Sequence, residues 1–516
     1  MENTKIKRLG VMIDCSRNAV MTAEECKKFA GLLSKMGYNT LLLYMEDTYT
    51  IDGQPLFGYM RGRYSKAELK EIDGYCASLG IEVIPCIQTL AHLNGMFRWQ
   101  EYDKVRDCAD ILLVGDENTY ELIEQMIRSV SECFRSKKVH LGMDEAWLLG
   151  SGKYLSKNGF SDKAEILKKH LRRVCGIAEK YGTEPLVWHD MFFNHREELA
   201  GELPETAELV YWDYYHTDYD HYVRRITQTK SLSKSVWFAG GAWSWLGFAP
   251  DNTFSIETMI PAVKVCFDTG VENVFFTMWG DDGGECSRCA LLPSLFYAAE
   301  LVRGNTDETL IKSRFREIIG ADYDSFMLLD ELNRIDGTHK EHTAKYLLFN
   351  DPLLGPADWR ITMTEGEYYA ALAEKLANAD IAEEYSYIFD SMKALCDVLA
   401  LKAELGVKLR SAYKKGDKTG LAALAEVCTE IISRLNRFHR MFRTQWLREN
   451  KPFGLEVQDI RIGGLVRRIE VCRDLVSDYA AGKTDSIPEL EEDIIKSECA
   501  AMWLQSASPN VMTMFL

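Results

Sequence analysis

Between residue 8 and about residue 303, short apolar runs alternate with segments whose apolar residues recur every three or four positions. The runs at 9–14, 40–45, 82–87, 139–142, 185–188, 209–212, 236–239 and 273–278 read as strands. They are near-continuous in apolar residues, as strands buried on both faces are. Segments 23–36, 66–79, 120–134, 162–181 and 256–269 read as amphipathic helices between them. Strands alternating with helices make parallel β-α-β units, and eight units in about 300 residues fit a closed (β/α)8 TIM barrel. An open, doubly wound sheet is the alternative, but no G-x-G-x-x-G follows the first strand.

After about residue 350 the pattern changes. Asn350-Asp351-Pro352 and Gly355-Pro356 punctuate the chain, and from 365 to 481 the periodicity is almost wholly helical, as at 368–377, 386–405 and 421–443. We expect two domains, a catalytic barrel over 1–345 and an all-α C-terminal domain over 346–516. One stretch interrupts the helices: Glu449-Asn450-Lys451-Pro452-Phe453-Gly454. It reads either as a plain turn or as a contact feature at a domain or subunit interface.

Composition adds exclusions. The 516 residues are 47% hydrophobic and 27% charged, which is ordinary for a soluble globular chain. A net charge of -17, without a dense basic stripe, argues against nucleic acid and anionic membrane surfaces as partners. The polar start and the lack of a long apolar stretch argue against a signal peptide or membrane span, so a cytoplasmic protein is expected. The 14 cysteines then read as reduced thiols. Cys286 and Cys289 form a lone C-x-x-C without a second ligand pair, so no metal and no cofactor is expected.

In such a barrel the reactive residues sit at the C-terminal strand ends. In chain order these ends carry Asp14 and Arg17; Tyr44, Glu46 and Asp47; Gln88, Thr89 and His92; Asp144 and Glu145; Trp188, His189 and Asp190; Trp212, Asp213 and Tyr214; Trp243 and Trp245; and Trp279, Asp281 and Asp282. Polar groups with several tryptophans suit a sugar, whose hydroxyls need fixed polar partners and whose apolar ring faces pack on aromatics. Adjacent acids closing an apolar strand suffer desolvation and mutual repulsion unless they are used. A carboxyl pair serves glycosidic cleavage by protonating the leaving oxygen and managing charge at the anomeric carbon. Neighbours on one strand end, however, do not readily flank a sugar from opposite faces. His140, just before the pair, reads as structural.

The motif His140-Leu141-Gly142-Met143-Asp144-Glu145, followed by Trp147, resembles glycoside hydrolase family 20, the exo-acting β-N-acetylhexosaminidases, over about residues 8 to 303. The helical tail resembles that of a bacterial intracellular branch, which implies a homodimer. The resemblance implies a substrate with a terminal β-linked N-acetylhexosamine whose own acetamido oxygen is the nucleophile. Asp144 would orient that group and Glu145 would be the acid and base. It further implies that Arg17 binds ring hydroxyls, that Asp47 and His92 form a pair supporting Glu145, and that Trp188, Trp212 and Trp279 wall and floor the pocket. Trp243 is expected among the binding residues. Asp281 takes the place of the family's usual glutamate. The family's tyrosine after the seventh strand is missing from Gly240-Gly241-Ala242-Trp243-Ser244-Trp245. Tyr214, which shares strand parity with Trp212, is the expected substitute, with Tyr215 the alternative. An O-linked N-acetylglucosaminidase would favour an Asp-Asp pair. A non-catalytic sugar-binding protein would not need the acids intact, and a metal hydrolase would want a tighter histidine cluster.

Overall fold

The computed structural model describes residues 6–496 apart from 196–198, 200, 282, 336 and 338–341. Eight parallel strands close into a barrel: β1 (Arg8–Asp14), β2 (Thr40–Tyr44), β3 (Glu82–Cys86), β4 (Lys138–His140), β5 (Glu184–Trp188), β6 (Glu208–Trp212), β7 (Val236–Gly241) and β8 (Asn273–Met278). Each pairs with its neighbours in sequence, and β1 pairs with β8 to complete the circle. All eight expected strands are present. The fourth stops at His140, two residues short of expectation, because Gly142 has φ 73° and Met143 φ 73°, left-handed conformations that end a strand. A small antiparallel hairpin, Arg106–Cys108 with Ile111–Leu112, was not anticipated.

Helices begin where side-chain caps satisfy their free N–H groups. Thr22 accepts from the backbone of Glu25 ahead of Ala23–Met36, and Ser65 with Glu68 forms a reciprocal capping box ahead of Lys66–Ser78. Strand alternation then sorts the core. Val11, Ile13, Leu41 and Leu43 point outward against the helices. Met12, Leu42, Tyr44, Ile84, Cys86, Leu186, Trp188, Val210, Trp237, Ala239 and Phe275 fill the barrel interior. Continuing the same inward parity past the strand ends delivers Asp14, Gln88, Trp212 and Trp279 to one mouth of the barrel.

The chain then runs through helices Glu365–Ala377, Ser386–Lys402, Leu405–Lys414, Lys418–Glu449 and Leu455–Ala480. The last two pack along each other as a hairpin. Its turn is the stretch singled out in the sequence, and it is a contact feature. Lys451 N donates to Val20 O at 2.8 Å, Thr22 N donates to Glu449 O at 3.0 Å, and Lys451 Nζ pairs with Glu68 Oε1 at 2.7 Å. The two backbone bonds hold the turn to the loop after β1, which carries Arg17, and the ion pair holds it to the helix Lys66–Ser78. A second junction ties the helices to the loop after β8. Buried Glu285 Oε1 meets Lys345 Nζ at 2.7 Å, Arg461 Nη1 at 3.0 Å and Gln458 Nε2 at 3.1 Å. No helix among the described residues is long and apolar enough to cross a membrane.

Removing one member of a buried charge cluster leaves its partners desolvated, at a cost of about 3–5 kcal/mol. Glu285→Ala is therefore expected to lower the urea and thermal unfolding midpoints clearly, whereas Glu205→Ala, on an exposed pair with Lys234, should leave them nearly unchanged.

Candidate active site

One cavity opens at that mouth, lined by Arg17, Tyr44, His92, Asp144, Glu145, Trp188, Trp212, Tyr214, Tyr215, Trp245, Trp279 and Asp281. Nine of the residues expected from the sequence meet here: Arg17, His92, Asp144, Glu145, Trp188, Trp212, Tyr214, Trp279 and Asp281. Asp282 lies outside the described residues.

The carboxyl pair sits on a backbone that departs from ordinary geometry three times, with Gly142 at φ 73°, Met143 at 73° and Glu145 at 50°. The left-handed turn lets two consecutive side chains reach the same imidazole. His92 Nε2 is 3.3 Å from Asp144 Oδ2 and 3.7 Å from Glu145 Oε2. Gln88 completes the support of Asp144. Its Nε2 donates to Asp144 Oδ1 at 2.7 Å, and its Oε1 accepts from Met143 N at 3.2 Å. Gly142 is required twice over, because a Cβ there would meet Gln88 Oε1 at 2.0 Å as well as adopt a positive φ.

The environments of the two acids diverge. Burial pushes Asp144 towards its neutral form, but the charge of His92 and the hydrogen bond from Gln88 outweigh it, and the carboxyl is held below its ordinary value. Burial raises Glu145, the charge of His92 opposes the rise, and repulsion from Asp144 adds to it, so this carboxyl lies above its ordinary value. Its side chain is 44% exposed, whereas that of Asp144 is 11% exposed. The result is a buried carboxyl that favours its anion beside a more accessible one that holds its proton more tightly. Burial would lower His92, but Asp144 reverses this and lifts it to about 9. His140, packed on Trp188 with ring centroids 4.3 Å apart, is pushed down to about 3 by burial and stays neutral.

Aromatic rings make the walls. Trp212 stacks on Tyr214 with centroids 5.2 Å apart and planes at 25°, and Tyr44 meets Trp279 edge-on at 4.7 Å. The indole Nε1 of Trp188 and the Nε of Arg17 are buried without hydrogen-bond partners among the described residues. A polar ligand would satisfy such donors. Arg17 Nη2 lies 3.6 Å from Glu46 Oε1, and Tyr44 OH donates to Glu46 at 3.2 Å.

Two expectations need correction. Asp47 does not support His92. It is bound instead by Arg61, whose Nε donates to Asp47 Oδ1 at 3.1 Å, and it lines no part of the cavity. The carboxyls at the His92 imidazole nitrogen Nε2 are Asp144 and Glu145 themselves, and Asp110 Oδ2 accepts the His92 backbone N–H at 2.9 Å. Trp243 is also displaced from the cavity, because its indole N–H donates to Tyr214 O at 2.9 Å behind the wall, and Trp245 lines the cavity in its place. Tyr44 and Trp245 belong to the site and were visible as strand-end residues. Tyr215 belongs to it too, beside the expected Tyr214.

Among the described residues, Asp213, His216 and His221 are close enough together to hold a metal ion. The two imidazoles are stacked at 3.6 Å with an 11° tilt, so an ion in the plane of one ring lies out of the plane of the other. Asp213 is also occupied, accepting from Tyr211 OH at 2.7 Å and Tyr215 N at 3.1 Å. The cluster fits a hydrogen-bonded brace under the β6 exit better than a metal centre.

The sequence matches the profile described as "Glycosyl hydrolase family 20, catalytic domain" over residues 8–229 and that of the "Glycoside Hydrolase 20C C-terminal domain" over 324–503. Hexosaminidase D from Bos taurus is 28% identical over 245 residues, covering 45% of this chain and 69% of that protein. Hexosaminidase D from Homo sapiens is 29% identical over 195 residues, covering 36% of this chain and only 40% of that protein. A solved GH20 exo-β-N-acetylglucosaminidase from Vibrio harveyi, in complex with N-acetylglucosamine, superposes distantly. Its TM-score is 0.49 and its identity 15%, with 64% of this chain and 59% of that chain covered.

His92 carries a pH signature. Its folded value of about 9 exceeds the ordinary 6.5, so the stability it contributes is complete below about pH 6.5 and disappears as the pH rises through about 9. His92→Gln should remove that alkaline loss. It should also raise both Asp144 and Glu145, since the charge of His92 lowers each. Unfolding midpoints across pH 6–10, with carbon-13 titration of the two carboxyls, check both outcomes.

Proposed function

The chain belongs to glycoside hydrolase family 20 and is a glycoside hydrolase, and we propose that it removes a terminal, non-reducing β-linked N-acetylhexosamine from oligosaccharides by a retaining, substrate-assisted route. The observation that carries this reading is the split of the acid pair. Asp144 is held as an anion in the pocket, and Glu145 is an accessible acid of raised pKa. A double displacement through an enzyme nucleophile needs two carboxyls across the sugar, about 5–5.5 Å apart. Here both acids leave the same strand end and converge on one imidazole nitrogen. The nucleophile is then best supplied by the substrate.

In this reading the 2-acetamido oxygen attacks the anomeric carbon as the glycosidic bond breaks, forming an oxazolinium ion. Glu145 gives its proton to the departing oxygen. Asp144 accepts the acetamido N–H and balances the positive charge that develops there, and Gln88 and His92 keep it aimed. Glu145, now ionised, takes a proton from the water that reopens the ring on the same face. An internal nucleophile arrives already positioned, which lowers the entropic barrier. Tyr214, buried and with its phenol pushed far towards the protonated form, is suited to donate to the acetamido oxygen. Trp188, Trp212 and Trp279 pack the sugar faces and the acetamido methyl. Arg17 and Asp281 serve the ring hydroxyls at the outer end, and His92 serves by supporting the acids.

The same reading keeps 1–345 as the barrel domain and 346–516 as the helical domain, with a cytoplasmic homodimer as the working form. Thirteen free cysteines among the described residues, twelve of them buried, suit a reducing compartment.

Glu145→Gln should cut turnover of 4-nitrophenyl β-N-acetylglucosaminide at least about 100-fold, the usual scale for losing a general acid-base group. Binding of an N-acetylglucosamine thiazoline should persist in that variant. Asp144→Asn should instead weaken thiazoline binding. Full activity in Glu145→Gln would refute the assignment. In the parent enzyme, kcat/KM should fall on the acid side only below the ordinary carboxyl range, as Asp144 protonates. It should fall on the alkaline side above that range, as Glu145 ionises.

A further inference from the structure

We propose that Asp190 is a positioning residue that ties the catalytic acid to the sugar-packing wall, so that filling the pocket and placing the proton donor are one event. This rests on the reading of Glu145 as the acid. Asp190 follows the end of β5 and is 7% exposed. One of its oxygens, Oδ2, accepts the backbone N–H of Glu145 at 2.9 Å, and the other, Oδ1, accepts the indole N–H of Trp212 at 3.3 Å. A single carboxylate thus spans two elements, the loop after β4 and the end of β6.

The arrangement has a mechanical meaning. Glu145 sits at φ 50°, a conformation that a non-glycine residue adopts reluctantly. A hydrogen bond from its own N–H to a buried carboxyl oxygen opposes relaxation of that turn. Trp212 is the ring that stacks on Tyr214 and lines the cavity. A sugar pressed against the indole therefore bears, through Asp190, on the peptide that carries the acid. Asp190 does not line the cavity, so its role runs through Glu145 and Trp212. Burial and the nearby charge of Asp144 lift its carboxyl to about 7, consistent with a group kept close to other acids for its placement.

The test compares two substrates on the full chain. 4-Nitrophenyl β-N-acetylglucosaminide releases a stable phenolate that needs little protonation, whereas a β-linked N-acetylglucosaminyl disaccharide releases an alcohol that needs the proton. If a misplaced acid is the defect, Asp190→Ala should lower kcat/KM about 100-fold for the disaccharide and only about 10-fold for the nitrophenyl glycoside. KM should rise for both as Trp212 loosens. Asp190→Asn keeps the volume but has one acceptor oxygen, so it should fall between. Trp212→Phe removes the indole N–H, and its KM effect should not add to that of Asp190→Ala, because either change breaks the same bond. Equal losses on the two substrates, or an undiminished disaccharide activity, would overturn the proposal. If Asp190→Ala does not fold, the substrate ratio of Asp190→Asn decides in the same way. Glu145→Gln in both assays separates the two ideas. Without a selective loss there, the acid assignment fails. With that loss present but absent in the Asp190 variants, the positioning role fails.

Discussion

A carboxylate taken out of water keeps its charge only where a cation and several donors meet it, and the surroundings of Asp144 are shaped by that demand. His92 supplies the charge at 3.3 Å and Gln88 the donor at 2.7 Å. The demand spreads outward. Gln88 reaches Asp144 only because residue 142 has no side chain. The same left-handed turn that admits Gln88 also points Glu145 to the mouth. Glu145, sharing the imidazole but more open to solvent, ends as the opposite kind of acid. Two neighbours in sequence thus have their carboxyls shifted in opposite directions by burial and partners alone.

The helical region takes part in this indirectly. Its hairpin turn is bonded to the loop after β1, and its buried Gln458 and Arg461 join Lys345 on Glu285 in the loop after β8. Glu449, the last residue of the long helix, accepts from Arg288 N at 3.2 Å. Arg288 in turn donates to Asp14 O, and Asp14 accepts the N–H of Gly280 at 2.8 Å. Asp14 is therefore a clasp across the seam between β1 and β8. The loops holding Arg17, Trp279 and Asp281 are braced from outside the barrel.

The sequence was readable where one rule dominates. Strands buried on both faces are written as apolar runs, and all eight appear in register with that pattern. Strand parity alone brought Trp188, Trp212, Tyr214 and Trp279 to one mouth. It was less readable where the outcome depends on a choice between partners. Asp47 was expected beside His92, but Arg61, 14 residues on, took it. Trp243 and Trp245 are two apart after β7, where the strand parity has ended, and only the folded loop decides that the second faces the cavity. The hairpin at 106–112 is too short to show alternation. The left-handed backbone at Met143 and Glu145 has no signature in residue type, since neither is a residue that favours it.

The barrel beneath the pocket is filled. Trp188, Trp237 and Phe275 are among the buried side chains that fill it. A chamber sealed at the bottom admits only the tip of a glycan, and the freed monosaccharide must leave by the way it came in, after the shortened chain has moved aside. On the proposed function, each cleavage would then end in dissociation, and trimming would be distributive. Accumulated monosaccharide would compete directly with the next chain end for the same aromatic walls.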